Sequence, residues 1–332
     1  MISIQLLNTA SGSCLYRYAP NTAIIPPLQE KNRLNPPARN EPAFFIIGAQ
    51  KAGTTWLWNM LDQHPETSLP SPKELHYFGS AELYNRGDDW YFNHFKGLDP
   101  NKLTGEASTT YFYDRVPYWY NPSSQIEFNE SLPTIPELIS GKFPEARFIV
   151  VLRDPVRRAV SAYLHWMKKG STSPLLGLRK VATEMPKMRI LEFGLYAGYL
   201  NAWLKHIPSD RFRILIFEDQ IRKNWDLTLT DIYSYLGLDP DFRPAQPGKR
   251  VHKSWGWTRI VFSYYTGGFS RSAIGSKTGR LLDRFDVLAR HAINKEDIEF
   301  LRSVYLPEKD ELEKITGCSL DCWDYGEGIL RK

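Results

Sequence analysis

The chain has 332 residues, and its 42 lysines and arginines outnumber its 37 aspartates and glutamates to give a formal charge of +5. That excess suits an anionic ligand but is too small to indicate nucleic-acid binding. Charged residues at 24% and hydrophobic residues at 42% are ordinary for a globular chain and exclude a disordered or fibrous one.

Residues 1–42 carry Pro20, Pro26, Pro27, Pro36, Pro37 and Pro42 with little periodicity, which predicts a partly extended N-terminal arm ahead of one domain over 43–332. The opening "MISIQLLNTASGSCLYRYAP" lacks the basic and apolar regions of a signal peptide. No run approaches the roughly 20 apolar residues of a membrane span. Cys14, Cys318 and Cys322 are too few for a disulfide framework; Cys318 and Cys322 could pair in an exported protein, and reduced thiols are expected otherwise. A cytoplasmic protein is the expectation.

From residue 43 strands and helices alternate. A strand over 43–48 leads through a loop to a helix at about 55–63. A second unit runs from a strand over 147–152 into a helix opening at Pro155, a favoured first helical position. A third joins a strand over 213–217 to a helix in "WDLTLTDIYSYLGLDP", closed by Gly237 and Pro240. Further helices are predicted near 277–290 and 295–314. The alternation predicts an α/β fold, a central parallel sheet flanked by helices on both faces.

The first unit, "FFIIGAQKAGTTWLWNM", spaces Gly48 and Gly53 as a nucleotide-triphosphate loop does. Its lysine is displaced: Thr54 stands where lysine is required, and Lys51 lies inside the loop. Backbone amides at a strand exit and a helix N-terminus suit a phosphate, so residues 48–55 read as a phosphate cradle. A ligand with a 5′-phosphate and no γ-phosphate would need neither the usual lysine nor its Mg²⁺. In "ARFIVVLRDPVRRAVSAYLH", Arg153 ends a strand where its fork of donors can clamp a phosphate. Ser161 follows about two helical turns later, where its hydroxyl can share that anion. An ion pair for Arg153 and a bond from Ser161 to its own helix are the structural alternatives. Arg157 and Arg158 read as a solvated helix face, and Asp154 as a helix cap.

"GAQKAGTTWL" resembles the 5′-phosphosulfate loop, and "FIVVLRDPVRRAVSAYLH" the 3′-phosphate site, of sulfotransferases that use 3′-phosphoadenosine 5′-phosphosulfate (PAPS). "KELHYF" at 73–78 resembles a motif of the bacterial, heparan-sulfotransferase-like branch of that family. "TGEASTTYFYD" (104–114), "GLYAGYLNAWLKHIP" (194–208) and "FEDQ…YLGLDP" (217–240) resemble further blocks, so the likeness covers roughly 43–255. The resemblance implies a P-loop nucleotide-binding fold that binds PAPS and releases 3′-phosphoadenosine 5′-phosphate (PAP). It lays donor contacts on Gly48, Lys51, Ala52, Gly53, Thr54, Thr55, Trp56, Arg153 and Ser161. Tyr196, at a helix start, and Arg250 and Lys253, in the basic stretch "PGKRVHKSWG", are looser candidates, for which packing and a solvated loop are equal alternatives.

If "KELHYF" is extended, side chains alternate and Glu74 and His76 share one side. Two proton-handling groups there make an acid/base pair, and the resemblance assigns the base role to the glutamate. A carboxylate beside a cationic site stays ionised. The expected chemistry is in-line attack of an acceptor hydroxyl, deprotonated by Glu74, with Lys51 neutralising charge on the leaving phosphate oxygen. A surface Lys-Glu pair beside a core histidine is the bland alternative. No His-x3-His or Cys-x2-Cys site suggests a metal. The rival functions are a P-loop small-molecule or nucleotide kinase and a non-catalytic polyanion-binding module. The acceptor, a glycan or a small molecule, lipid or acyl chain, stays open, with the aromatic stretches 84–95 and 118–128 as candidate acceptor walls. The oligomeric state is also open. The absence of a membrane anchor favours a bacterial enzyme.

Overall fold

The structure is a computed structural model that describes residues 41–113, 133–245, 255, 257–266 and 293–329. In chain order these form β1 (Phe44–Gly48), α1 (Thr54–Asp62), α2 (Ala81–Tyr84), α3 (Gly87–Asn93), β2 (Gly105–Ala107) and α4 (Ile135–Lys142). Then come β3 (Arg147–Leu152), α5 (Pro155–Lys168), α6 (Leu178–Glu184), α7 (Tyr196–Leu204), β4 (Phe212–Ile216) and α8 (Trp225–Leu236). The described chain closes with α9 (Trp257–Tyr265), α10 (Lys295–Tyr305) and α11 (Lys309–Thr316). The predicted arm below residue 41 and the predicted helix near 277–290 lie outside the described residues. Among the described residues no helix is long and apolar enough to cross a membrane.

All strand pairings are parallel, in the order β2-β1-β3-β4. The predicted α/β class is therefore observed. β1 has its sequence successor β2 on one side and β3 on the other, so the winding reverses between β1 and β3. Ligands in open α/β sheets sit beyond the strand carboxyl ends at such a reversal. Here those ends carry the glycine loop and Arg153.

The strands are apolar on both sides because helices cover both faces. On one face Phe45, Phe148 and Phe212 stack across adjacent strands, with Phe143 at the end of α4 at 5.2 Å from Phe45 and Trp203 of α7 at 5.2 Å from Phe148. On the other, Tyr235 of α8 lies under the guanidinium groups of Arg147 and Arg213, and its hydroxyl donates to the Phe148 carbonyl at 3.3 Å. Tyr233 of the same helix donates to the Met60 carbonyl of α1. Gly237, left-handed at φ 76°, ends α8 as expected.

The contacts divide the chain into two compact units. The sheet unit draws its described residues from Met1–Arg153, Tyr196–Lys249 and Asp310–Cys322. The second draws on Asp154–Leu195, Arg250–Lys309 and Trp323–Lys332 and is built around α5, α6, α9 and α10. In it Asp154 caps α5 by accepting from the Arg157 amide at 3.0 Å. Arg157 and Arg158 are not a solvated face: Arg157 pairs with Asp324, and Arg158 is fully buried against the Ile190 carbonyl. The single helix expected over 295–314 is two, broken at Leu306–Glu308, where Pro307 lacks an amide. Cys318 is disulfide-bonded and Cys322 is a free thiol, so the two do not pair and the expectation of reduced thiols fails at Cys318.

Candidate active site

The loop at the end of β1 is built by backbone. The Ala49 amide donates to the Val151 carbonyl at 2.7 Å, pinning the loop to β3. Lys51 at φ 66° and Gly53 at φ 102° are both left-handed and curl the chain back on itself. Only glycine suits position 53, since a Cβ there would also stand 2.8 Å from the Phe217 ring. Gly48 is a close approach of another kind, with a Cβ placed 2.6 Å from that of Phe112. α1 then opens at Thr54 with no side-chain cap and no acidic residue in its first turn. The first amides of a helix have no intrahelical acceptor, and they lie at the positive end of its dipole. Ala52 and Thr54 are buried, and Thr55 and Trp56 are half-buried. Such a loop offers free amides to an anion.

Arg153, at the end of β3, meets this loop. Its Nη1 donates to the Lys51 carbonyl at 3.0 Å. Its guanidinium lies 5.1 Å over the Phe217 ring, and Nε is 3.8 Å from Glu218. The ion pair is thus with Glu218, on the π-type turn Phe217–Ile221 that follows β4, and not with Asp154. Tyr196, fully buried at the first position of α7, donates from its hydroxyl to the Arg153 carbonyl at 3.0 Å. Tyr196 therefore anchors the strand end that presents Arg153.

The structure brings Glu74 and His76 together, though not on a strand. Both have left-handed backbones, φ 69° and φ 54°. Such non-glycine outliers cluster at functional sites. Leu75 and Tyr77 are buried between and beyond them, which produced the alternating pattern. His76 Nε2 lies 3.3 Å from Glu74 Oε2, and Lys73 Nζ 2.6 Å from Glu74 Oε1. The carboxylate is one-third exposed, while His76 is buried. Burial would raise the Glu74 pKa, but the hydrogen bond to His76 and the charge and hydrogen bond of Lys73 outweigh it and hold it at about 2. Glu74 is ionised at neutral pH, as expected. Each carboxylate oxygen has two lone-pair sites, so both partners leave it able to accept a proton.

The segment after β2 links these parts and was not singled out residue by residue from sequence. Ser108 and Phe112 amides donate to the Ile46 and Ile47 carbonyls at the end of β1, and the Tyr113 hydroxyl accepts from the Gln50 amide at 3.3 Å. On its other side the Glu74 amide donates to the Ala107 carbonyl, and the His76 amide to Ser108 Oγ, both at 3.0 Å. One stretch thus braces both the glycine loop and the Glu74–His76 turn. Its signal in the sequence was the hydroxyl-rich "STTYFY" two residues after a glutamate.

Ser161 lies half-buried on α5 in the second unit and, among the described residues, its hydroxyl makes no hydrogen bond to its own helix. Arg250 and Lys253 lie outside the described residues, as does the aromatic stretch 118–128. The stretch 84–95 is not simply an acceptor wall: Tyr91 and Phe95 are fully buried, and Tyr91 packs on Tyr77 and Phe78.

Residues 42–242 match the model of the family described as "Sulfotransferase family". The chain is 26% identical over 233 residues to bifunctional heparan sulfate N-deacetylase/N-sulfotransferase 1 of Caenorhabditis elegans, covering 66% of this chain and 24% of that protein. It is 24% identical over 302 residues to heparan sulfate glucosamine 3-O-sulfotransferase 5 of Homo sapiens, covering 88% of this chain and 77% of that protein. The chain therefore spans about a quarter of the length of the bifunctional relatives it matches. Among solved structures, a sulfotransferase from Alicyclobacillus acidocaldarius superimposes with a TM-score of 0.60 at 22% identity, over 85% of this chain and 98% of that one. That likeness is one of fold.

Proposed function

The chain belongs to the sulfotransferase family, and from that membership we propose that it transfers the sulfuryl group of PAPS to a hydroxyl of a glycan, small-molecule, lipid or acyl acceptor, releasing PAP. The observation that carries the reading is the placement of the loop lysine. Lys51 sits inside a left-handed turn at the β1/β3 reversal, and Arg153 of the next strand bonds its carbonyl. This is a cradle for a nucleotide whose 5′-phosphate bears the leaving bond.

In this reading the amides of Gly53, Thr54 and Thr55 hold the 5′-phosphate, and Trp56 borders the nucleotide. Gly48 and Ala52 give the backbone room to approach. Arg153, with Ser161, binds the 3′-phosphate, and Tyr196 supports Arg153 from behind. Arg250 and Lys253 are further candidates for that phosphate. Ionised Glu74 takes the proton of the acceptor hydroxyl as its oxygen bonds to sulfur and the bond from sulfur to the 5′-phosphate oxygen breaks. Lys51 offsets the charge that grows on that oxygen; removing an oxyanion donor of this kind typically costs about 10² to 10³ in rate. His76 steadies Glu74.

A glycan acceptor is favoured by the names of the two relatives, both enzymes of heparan sulfate. A cytoplasmic, bacterial setting is part of the same proposal: the free thiol of Cys322 accords with it, and the disulfide at Cys318 is the observation against it. The test is radiolabelled sulfate transfer from PAPS to a panel of N-desulfated and O-desulfated heparan, hydroxyacyl thioesters and phenols. Label on at least one acceptor is expected. Transfer to none of them, by protein that binds PAP, would overturn the reading.

A further inference from the structure

Beneath the Glu74–His76 turn lies a buried carboxylate that the transfer step does not use. Glu106, in the middle of β2, is 1% exposed and faces the aromatic side of the sheet beside Phe45. Three hydroxyls donate to it: Tyr91 to Oε2 at 2.5 Å, Tyr111 to Oε1 at 2.6 Å and Ser108 to Oε1 at 2.8 Å. Burial, the largest influence, pushes the Glu106 carboxyl up, and these donors oppose it. A buried acceptor with three donors of fixed direction makes a rigid anchor.

The direction of these bonds propagates upward. Ser108 spends its only proton on Glu106, so its oxygen faces the turn as an acceptor, and the His76 amide donates to it at 3.0 Å. Thr110, two residues on and 1% exposed, places Oγ1 at 3.0 Å from His76 Nδ1. Ionised Glu74 can only accept, so its 3.3 Å contact with His76 Nε2 requires a proton on Nε2. In the neutral imidazole Nδ1 is then an acceptor, and Thr110 must donate to it.

Resting on the functional reading above, we propose that Thr110 is a positioning residue for sulfuryl transfer. Its hydroxyl, on the Glu106–Ser108 anchor, holds neutral His76 as the Nε2–H tautomer that steadies the base Glu74. The arrangement also accounts for the left-handed backbones at positions 74 and 76. The His76 amide and ring are each tied to a hydroxyl of the same short segment, which over-determines the turn.

The test uses the full chain with PAP bound and ¹⁵N-histidine incorporated, the His76 signals being assigned by their loss in His76→Asn. At pH 7.5 long-range ¹H–¹⁵N spectra should show His76 protonated at Nε2 with Nδ1 a hydrogen-bonded acceptor. Thr110→Val should move the Nδ1 resonance towards that of a free acceptor, and Thr110→Ser should leave it in place. In turnover, Thr110→Val should lower kcat about 10- to 100-fold, the scale of a catalytic group misplaced by about 1 Å. PAP affinity should be unchanged and Thr110→Ser should restore the rate. On a Glu74→Gln background Thr110→Val should cost almost nothing more. A wild-type His76 protonated at Nδ1, or an Nδ1 resonance indifferent to Thr110→Val, overturns the proposal. So does a rate loss of equal size with and without Glu74. A wild-type protein that binds PAP and transfers no sulfate would instead sink the functional reading, while the spectra would still decide the placement of His76.

Discussion

The guanidinium of Arg153 donates to the main-chain carbonyl of Lys51 at 3.0 Å, although the two residues are 102 positions apart. The bond ties the end of β3 to the left-handed residue of the β1 loop across the reversal in sheet winding. The conformation of the loop at Lys51 therefore depends on Arg153.

This coupling shapes the first prediction. PAP should bind at least ten-fold more tightly than AMP, since each charge-assisted hydrogen bond to a phosphate contributes roughly 1.5–3 kcal/mol. Arg153→Ala should erase that preference and also weaken AMP, because the loop loses a brace. Ser161→Ala should reduce the preference and leave AMP binding unchanged. Calorimetry that finds PAP and AMP equal in the wild-type protein would remove both residues from the 3′-phosphate.

Lys51→Ala removes the side chain and leaves the carbonyl that Arg153 holds. The expected result is a loss of about 10² to 10³ in kcat with the melting temperature unchanged. A variant retaining more than about a tenth of wild-type turnover would take Lys51 away from the reacting bridge.

Gly53→Ala tests the backbone instead. A non-glycine residue at φ 102° costs on the order of 1–3 kcal/mol, and the added Cβ meets the Phe217 ring at 2.8 Å. Chemical denaturation should show that loss, and PAP affinity should fall further as Phe217 is pushed towards the Arg153 guanidinium it packs on. Unchanged stability would mean that the loop relaxes to another conformation.

Much of this was legible in the sequence where local chemistry and tertiary role agree. The strand over 147–152 is found as read, because a buried parallel strand is a bare apolar run bounded by Arg-Asp-Pro. Glycine spacing located the loop because no other residue fits position 53. β2 was missed: three residues, Gly-Glu-Ala, are too few to show a period, and a buried glutamate reads as surface. The turn at 73–78 was misread as a strand because burial of Leu75 and Tyr77 imitates alternation, while left-handed backbones at a glutamate and a histidine leave no mark in residue type. Glu74 and His76 were still paired correctly, through two positive φ angles rather than a pleat. Ser108 and Thr110 escaped notice because their role depends on a buried carboxylate that only the folded sheet creates.

The pH dependence follows from Glu74. Its folded pKa, about 2, lies below the ordinary 4.5, so the ionised carboxylate is favoured in the folded state. Its contribution to stability is fully present above about pH 4.5 and is lost as pH falls towards 2. For activity, kcat/KM should show no acid limb from this group above pH 4, wherever the protein stays folded. An acid limb with a midpoint above pH 5 that vanishes in Glu74→Gln would contradict the low pKa.

Whether Glu74 is the base of a sulfuryl transfer is decided by single-turnover transfer of radiolabelled sulfate from PAPS by the wild-type protein and by Glu74→Gln. Glutamine keeps the volume and the hydrogen bonding but accepts no proton at neutral pH. PAP should bind both proteins equally and the transfer rate should fall by about 10² or more in Glu74→Gln, the usual worth of a general base, with His76→Asn costing less. A Glu74→Gln protein that transfers sulfate at close to the wild-type rate, while His76→Asn is inactive, would contradict it and move the base to the histidine.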